Sequence, residues 1–286
     1  MIDYKLYPAL LSTPGNKPER FDKASDYHAS GIVLDLEDSV SLAQKNEARR
    51  QVLHYLKHVA VSHKLLYLIR INSLSSQEGL KDLLAISQEQ SIQCHGIIHP
   101  KTETPEVLNL LNDVLLSVGM NIPLLALIET ATGLNNVHNI VASANNIAGL
   151  MLGAADYATD VGLQITQNSL LWTRSQLANA AALKQIACYD APKFNFKEPQ
   201  ELQDDIRHAF SLGFSGKLAI HPNQIKSIND GFCPSWDSYN EAKQIIVIYE
   251  AAKGAACEYN GKMIDIPVYK KAKQVEEIFE ILNKKG

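Results

Sequence analysis

Apolar residues along the chain gather into short runs separated by amphipathic stretches. The runs predict strands and the stretches predict helices. Eight runs stand out: YPALLS from Tyr7, GIVLDLED from Gly31, LLYLIRIN around Arg70, HGIIHPK from His95, PLLALI before Glu129, IAGLMLG before Asp156, IACYDAP around Asp190, and GFSGKLAIHP ending at His221 and Pro222. Each is too short for a typical helix, carries few charges before its end, and is bounded by turn-forming residues. Strands buried on both faces of a parallel sheet have this pattern. Between the fifth and sixth runs Leu134, Val137 and Val141 recur at helical spacing, with Thr130 placed to cap. Phe21 and Ala24 share one side of a helix beginning near Pro18, and a helix with Lys45 and Arg49 follows the second run. Leu170, Leu177 and Ala181 lie on one face of SLLWTRSQLANAAALKQ, and a further helix spans roughly Glu198 to Leu212.

Eight alternating β and α units over residues 7–222 are most simply an α/β protein with a closed (β/α)8 TIM barrel. Its active site would lie on the face formed by the C-terminal ends of the strands. The expected division is a barrel over residues 1–232 and a C-terminal segment over 233–286. That segment reads as a helix from Trp236 to Lys253, a Gly-Lys turn in AACEYNGKMIDIP with Asp265 shortly before Pro267, and an amphipathic helix with Val275, Ile278 and Leu282 on one stripe. An appendage of this kind caps the mouth as a lid or packs on a neighbouring subunit.

At 286 residues and 46% hydrophobic content the chain buries a large core as one α/β domain or two smaller ones. The net charge of -4 and pI of about 6.1 leave no basic excess, so there is no footprint for nucleic acid. The opening MIDYKLYPALL lacks the basic and apolar regions of a signal peptide, and no apolar run approaches the ~20 residues of a membrane span. A cytoplasmic location is expected. Cys94, Cys188, Cys233 and Cys257 have no CxxC spacing, which suits reduced thiols better than disulfides or zinc.

The chemistry sits where the runs end. Parallel strands joined by a helix place their C-terminal ends on one edge, so Glu129 and Asp156 should emerge side by side, as a hard-cation site or an acid/base pair. A carboxylate just past a strand also serves merely to cap the next helix. Asp35, Glu37 and Asp38 crowd four positions, and such repulsion calls for a nearby cation. Arg70 and Asn72 close the third run; the guanidinium suits a substrate carboxylate, or it neutralises Glu37 or Asp38. Glu37, Arg70, Lys101, Glu129, Asp156, Asp190 and His221 are all expected at the mouth. In TPGNKPER, Lys17 and Arg20 either form a solvated first turn or contact the phosphates of a nucleotide-like group. KFNFKEPQ reads as a surface loop.

Taken in order, STPGNKPERF, GIVLDLEDSV followed by Arg49, RIN around Arg70, IHPK, ALIETATG, LGAADYATDVG, GFSGKLAIHPNQI and GKMIDIP resemble the citrate lyase β-subunit-like family within the HpcH/HpaI aldolase group. The resemblance covers nearly the whole chain. It implies a magnesium-dependent carbon–carbon lyase on a TIM barrel, acting on 3-hydroxy-3-carboxyacyl thioesters such as malyl-CoA, citramalyl-CoA or citryl thioesters. Carried over by position, Glu129 and Asp156 correspond to the metal ligands and Arg70 to the arginine holding the keto-acid carboxylate. Glu37 and Asp38 match the acidic pair that orders this arginine and metal-bound water. Arg20, with Lys17 nearby, lies in the CoA-binding region, and Asp265 matches an aspartate that reaches a neighbouring subunit's site from a C-terminal lid; an acid must protonate the enolate carbon, and Asp265 is the candidate. A homotrimer or a multiple of it is then expected. Lys17 stands where the family usually has arginine, and His99 where an aliphatic residue is usual. Three other readings compete with a stand-alone CoA-thioester lyase. They are a citrate lyase β subunit acting on citryl-acyl-carrier protein, an aldolase for free hydroxy-keto acids, and a non-catalytic acyl-CoA-binding barrel.

Overall fold

The computed structural model describes residues 2–59, 65–89, 91–195 and 198–285. The chain divides into two compact units, Met1–Asn229 and Asp230–Gly286.

The first unit alternates strands and helices: β1 (Ala9–Pro14), α1 (Lys23–Asp26), β2 (Gly31–Asp35), α2 (Lys45–His58), β3 (Leu66–Arg70), α3 (Gln77–Gln88), β4 (Gly96–His99) and α4 (Pro105–Ser117). It continues with β5 (Leu124–Ile128), α5 (Ala131–Ser143), β6 (Ile147–Leu152), α6 (Ala154–Val161), α7 (Gln167–Lys184), β7 (Ala187–Asp190), α8 (Pro199–Ser211), β8 (Gly216–Ala219) and the start of α9 (Ile225–Phe232), whose last three residues belong to the second unit. The eight strands are parallel, run in sequence order and close between β8 and β1, the barrel expected from the run pattern. Of the KFNFKEPQ stretch, Phe196 and Lys197 lie outside the described residues.

Local chemistry sets the helix boundaries. Thr130 accepts a hydrogen bond from the Gly133 amide and Ser76 from the Gly79 amide, while Pro105 and Pro199 occupy first turns, where a missing N–H costs nothing. Leu134, Val137 and Val141 are buried on α5, and Leu170, Leu177 and Ala181 on α7, as their spacing requires.

Alternation along the strands decides which side chains fill the barrel. Leu10, Val33, Leu66, Leu68, Ile98, Leu125, Leu127, Met151, Ala187 and Tyr189 form one interior cluster, and successive members of a strand stand two residues apart. Tyr4, from a 3-10 turn before β1, joins the cluster and accepts the Tyr189 hydroxyl on its carbonyl at 2.7 Å. Counting two residues on from the interior cluster gives the top layer: Asp35 on β2, Arg70 on β3, Glu129 beyond β5 and Gly153 beyond β6.

The second unit contains α10 (Trp236–Ala251), a hairpin of β9 (Cys257–Tyr259) and β10 (Lys262–Ile264), and α11 (Ile266–Lys285). Asn260 and Gly261 turn the hairpin in left-handed conformations (φ 50° and 75°), a geometry that asparagine and glycine tolerate best. Ala242, Ile246 and Ala272 form the seam of α10 and α11, with Val275 packed against it. Phe279 stacks on Tyr239 with ring centroids 4.2 Å apart.

Candidate active site

Asp35 and Arg70 are register partners on neighbouring strands. The Asp35 carboxylate accepts Nε and Nη2 of Arg70 at 2.7 and 2.6 Å, a bidentate pair. Burial alone would raise the Asp35 pKa, but the hydrogen bonds and charge of Arg70 outweigh it and hold the carboxyl below its ordinary range. Nη1 of Arg70 lies 3.0 Å from Glu37 Oε2, and Lys101 Nζ donates to Glu37 Oε1 at 3.2 Å. The turn carrying Glu37 is fixed from behind by Lys45, whose ammonium donates to the carbonyls of Leu36 and Glu37 at 2.7 and 2.6 Å.

Glu129 follows β5, is almost wholly buried, and accepts the Lys101 amide on Oε1 at 2.8 Å. The turn beyond it is pinned: the Thr130 hydroxyl donates to Glu103 at 2.8 Å, and the Ala131 amide donates to Asp160 at 2.7 Å. Asp156 lies half-buried in the first turn of α6, just past β6. Burial, reinforced by the charges of Glu37 and Asp156, pushes Glu129 up to about 8. Gly153 leaves room for the Glu129 side chain, because a Cβ there would stand 2.4 Å from Oε2 and 2.5 Å from Cβ of Glu129.

These features fit a divalent cation. Glu129, Glu37 and Asp156 carry mutually repelling charge that a cation would relieve. Among the described residues no three His, Cys, Asp or Glu side chains form a ready-made cluster. Two carboxylates with water or substrate oxygens in the remaining positions suit magnesium.

A profile of the HpcH/HpaI aldolase/citrate lyase family matches residues 9–222. The chain belongs to this family. It is 30% identical over 290 residues to citrate lyase subunit beta of Leuconostoc mesenteroides subsp. cremoris, covering 97% of this chain and 95% of the relative. It is 28% identical over 318 residues to L-malyl-CoA/beta-methylmalyl-CoA lyase of Cereibacter sphaeroides, covering 99% and 100%. A crystal structure of CitE from Mycobacterium tuberculosis in complex with magnesium, acetoacetate and coenzyme A superposes with a TM-score of 0.81 at 26% identity, covering 96% of this chain and 98% of that one.

Within this family member, Asp38 and Asp190 stand elsewhere than their position in the sequence suggested. Asp38 is exposed and influences Arg70 only through its charge at a distance, whereas Asp35 makes the direct bidentate contact. Strand alternation accounts for this: Asp35 and Glu37 share the parity of the interior residue Val33, and Asp38 does not. Asp190 fails for the same reason. Its neighbour Tyr189 points into the barrel, so Asp190 faces the helices, where it pairs with Arg174 of α7 at 2.9 Å and with Lys217. His221 caps a 3-10 turn, accepting the Asn223 amide at 3.2 Å. Lys17 and Arg20 are exposed on the loop after β1, with Arg20 Nε 3.9 Å from Glu19. Asp265, in the second unit, accepts the Val268 amide at 3.2 Å in the first turn of α11.

Two supporting residues carried weak sequence signals. Asp82 on α3 accepts Arg49 Nε at 2.7 Å and both the amide and side-chain nitrogen of Asn72, so the chain just past Arg70 is tied to two helices. His99 is buried and neutral, its pKa lowered to about 4 by burial. Its Nε2 accepts the Leu74 amide at 3.3 Å, and because the Thr102 hydroxyl donates to the His99 carbonyl, Nδ1 carries the proton facing Thr102 Oγ1 at 2.9 Å.

Proposed function

We propose that the chain is a magnesium-dependent carbon–carbon lyase. It would cleave a 3-hydroxy-3-carboxyacyl thioester such as malyl-CoA or citramalyl-CoA into an acyl-CoA and a 2-keto acid, or run the reverse condensation. The observation that carries this reading is the meeting, in one mouth, of an arginine clamped by two carboxylates with the buried Glu129 and with Asp156, whose charge acts on it. The names of the malyl-CoA lyase and citrate lyase relatives support it.

Glu129 and Asp156 would hold the cation. When bound, magnesium supplies Lewis-acid stabilisation to the oxygen that becomes the keto-acid carbonyl. Arg70 has five N–H groups; Asp35 engages two and Glu37 faces a third. One N–H on each terminal nitrogen is left to receive the substrate's carboxylate, and orientation of this kind contributes several kcal/mol to catalysis. As the carbon–carbon bond breaks, its electron pair goes to the thioester's α-carbon. One proton leaves the hydroxyl and one arrives at that carbon, so no redox partner or water is consumed.

Asp265 is the proposed acid at the enolate carbon, supplied by a second copy in a homotrimer or a multiple of it. Lys17 and Arg20 are the proposed contacts to the CoA phosphates, a reading supported by their exposure on the loop after β1. We place the protein in the cytoplasm, in keeping with four unpaired cysteines; among the described residues no helix is long and apolar enough to cross a membrane.

The deciding experiment is keto-acid release from malyl-CoA and citramalyl-CoA by the purified protein, with and without magnesium, beside Asp265→Asn. Magnesium-dependent release that the variant loses supports the lyase and its acid together. The 30% identity to a citrate lyase β subunit favours one second reading, a thioester borne on an acyl-carrier protein. Release only from the carrier-linked substrate would select it.

A further inference from the structure

Four carboxylates bear on the mouth, and a hard cation attracts all of them; Asp35 is taken up by its bidentate pair with Arg70. Two, Glu129 and Asp156, are left for it, while both oxygens of Glu37 face cations: Arg70 on Oε2 and Lys101 on Oε1. Arg70 divides its N–H groups between Asp35 and Glu37, so the hold on Glu37 is completed by Lys101. Lys101 itself is held in a left-handed conformation at φ 46°, a strained one for a residue with a side chain. The structure around it enforces that conformation. The Thr102 amide donates to the Leu127 carbonyl at 3.1 Å, the Thr102 hydroxyl donates to the His99 carbonyl at 2.8 Å, and the imidazole of His99 lies against the same hydroxyl. In that conformation a single residue sends its amide to Glu129 and its ammonium to Glu37.

We propose that Lys101 is a positioning residue that partitions the carboxylates, turning Glu129 toward the cation with its backbone and withholding Glu37 from the cation with its side chain. The proposal rests on the lyase reading for its substrate, but not for its metal test. Lys101→Met removes a positive charge that opposes the incoming cation and frees Glu37 to join it. Magnesium should therefore bind about tenfold more tightly by calorimetry. Turnover should fall by at least about tenfold, because Glu37 leaves the arginine that orients the substrate. Lys101→Arg should restore both values toward wild type. Lys101→Gly, which keeps the left-handed backbone without strain, should tighten magnesium as Met does and serves if the Met variant folds poorly. Adding Glu37→Gln to Lys101→Met should abolish the gain in affinity.

A lysine with a merely structural role would lower magnesium affinity and melting temperature together. Magnesium binding that is unchanged or weaker in both Lys101→Met and Lys101→Gly would overturn the proposal, as would a wild-type protein that binds no magnesium. A wild type that binds magnesium yet releases no keto acid from any thioester would defeat the lyase reading alone, leaving the isotherms to judge Lys101.

Discussion

Asp35 and Arg70 meet across β2 and β3 as register partners, and the carboxylate spans two guanidinium nitrogens at 2.7 and 2.6 Å with almost no exposure to water. Removing one member of such a pair leaves the other as an uncompensated buried charge. Arg70→Met should therefore cost about 3–5 kcal/mol in urea unfolding, and the double variant Asp35→Leu/Arg70→Met should recover much of that loss while remaining inactive. A double variant no more stable than the single one would show that the pair does more than neutralise itself.

Asp190 gives the contrasting case. It lies in the wall of the barrel among Arg174, Lys217 and Asp205, with Arg174 Nη2 donating to Asp205 at 2.8 Å and Lys217 Nζ to Asp205 at 2.6 Å. Asp190→Asn leaves two buried cations facing one carboxylate, and a stability loss of about 3–5 kcal/mol is expected. Magnesium affinity at a temperature where the variant is folded should be unchanged. Weakened magnesium binding there would place Asp190 in the mouth after all.

The contrast between these two aspartates shows how far the sequence could be read. Eight strands, their order and the clustering of Glu37, Arg70, Lys101, Glu129 and Asp156 at one end all follow from run length and parallel connection. The choice between Asp35 and Asp38, and the exclusion of Asp190, follow from period-two alternation. Counting from an interior residue such as Val33 or Tyr189 separates the two faces, but only the structure shows which residues are interior. Lys45, Asp82 and Arg174 were harder to place, because their partners lie on other elements and a charged residue on a helix looks solvated until its partner is known. The β9–β10 hairpin was hidden by its three-residue strands, too short to show alternation.

Gly153 tests how tightly Glu129 is confined. Gly153→Ala places a methyl group 2.4 Å from Glu129 Oε2 and 2.5 Å from its Cβ, closer than van der Waals contact allows. Magnesium affinity should fall roughly 10–100-fold, the range for disturbing the support of a metal ligand, while circular dichroism stays native. Affinity equal to wild type would mean that Glu129 rotates aside freely.

His99 makes stability depend on acid. Unfolded, the imidazole takes up a proton at an ordinary pKa of 6.5; folded, burial delays this to about 4. The unfolded chain binds more protons between those values. Its contribution is therefore intact above about pH 6.5 and lost as pH falls toward about 4, by up to about 3 kcal/mol. Urea midpoints across this window should fall less steeply for His99→Leu than for wild type. Parallel slopes would show that another group carries the acid sensitivity.

Glu129 acts in the opposite sense. Its carboxyl, ordinarily 4.5, is raised to about 8 by burial and by the charges of Glu37 and Asp156, so the metal-free folded chain holds a proton there that the unfolded chain releases. Between those values the folded state binds more protons. The stability of the metal-free protein must therefore decline as pH rises through the window. A cation binds only the deprotonated carboxylate and has to displace that proton. Magnesium affinity should thus climb up to about tenfold per pH unit below about pH 8 and level off above it. Calorimetry near neutral pH in buffers of different ionisation enthalpy should show close to one proton released per magnesium. Glu129→Gln should abolish both the release and tight binding. Magnesium binding with no proton release would mean that Glu129 is already ionised, with Lys101 and its amide hydrogen bond outweighing burial.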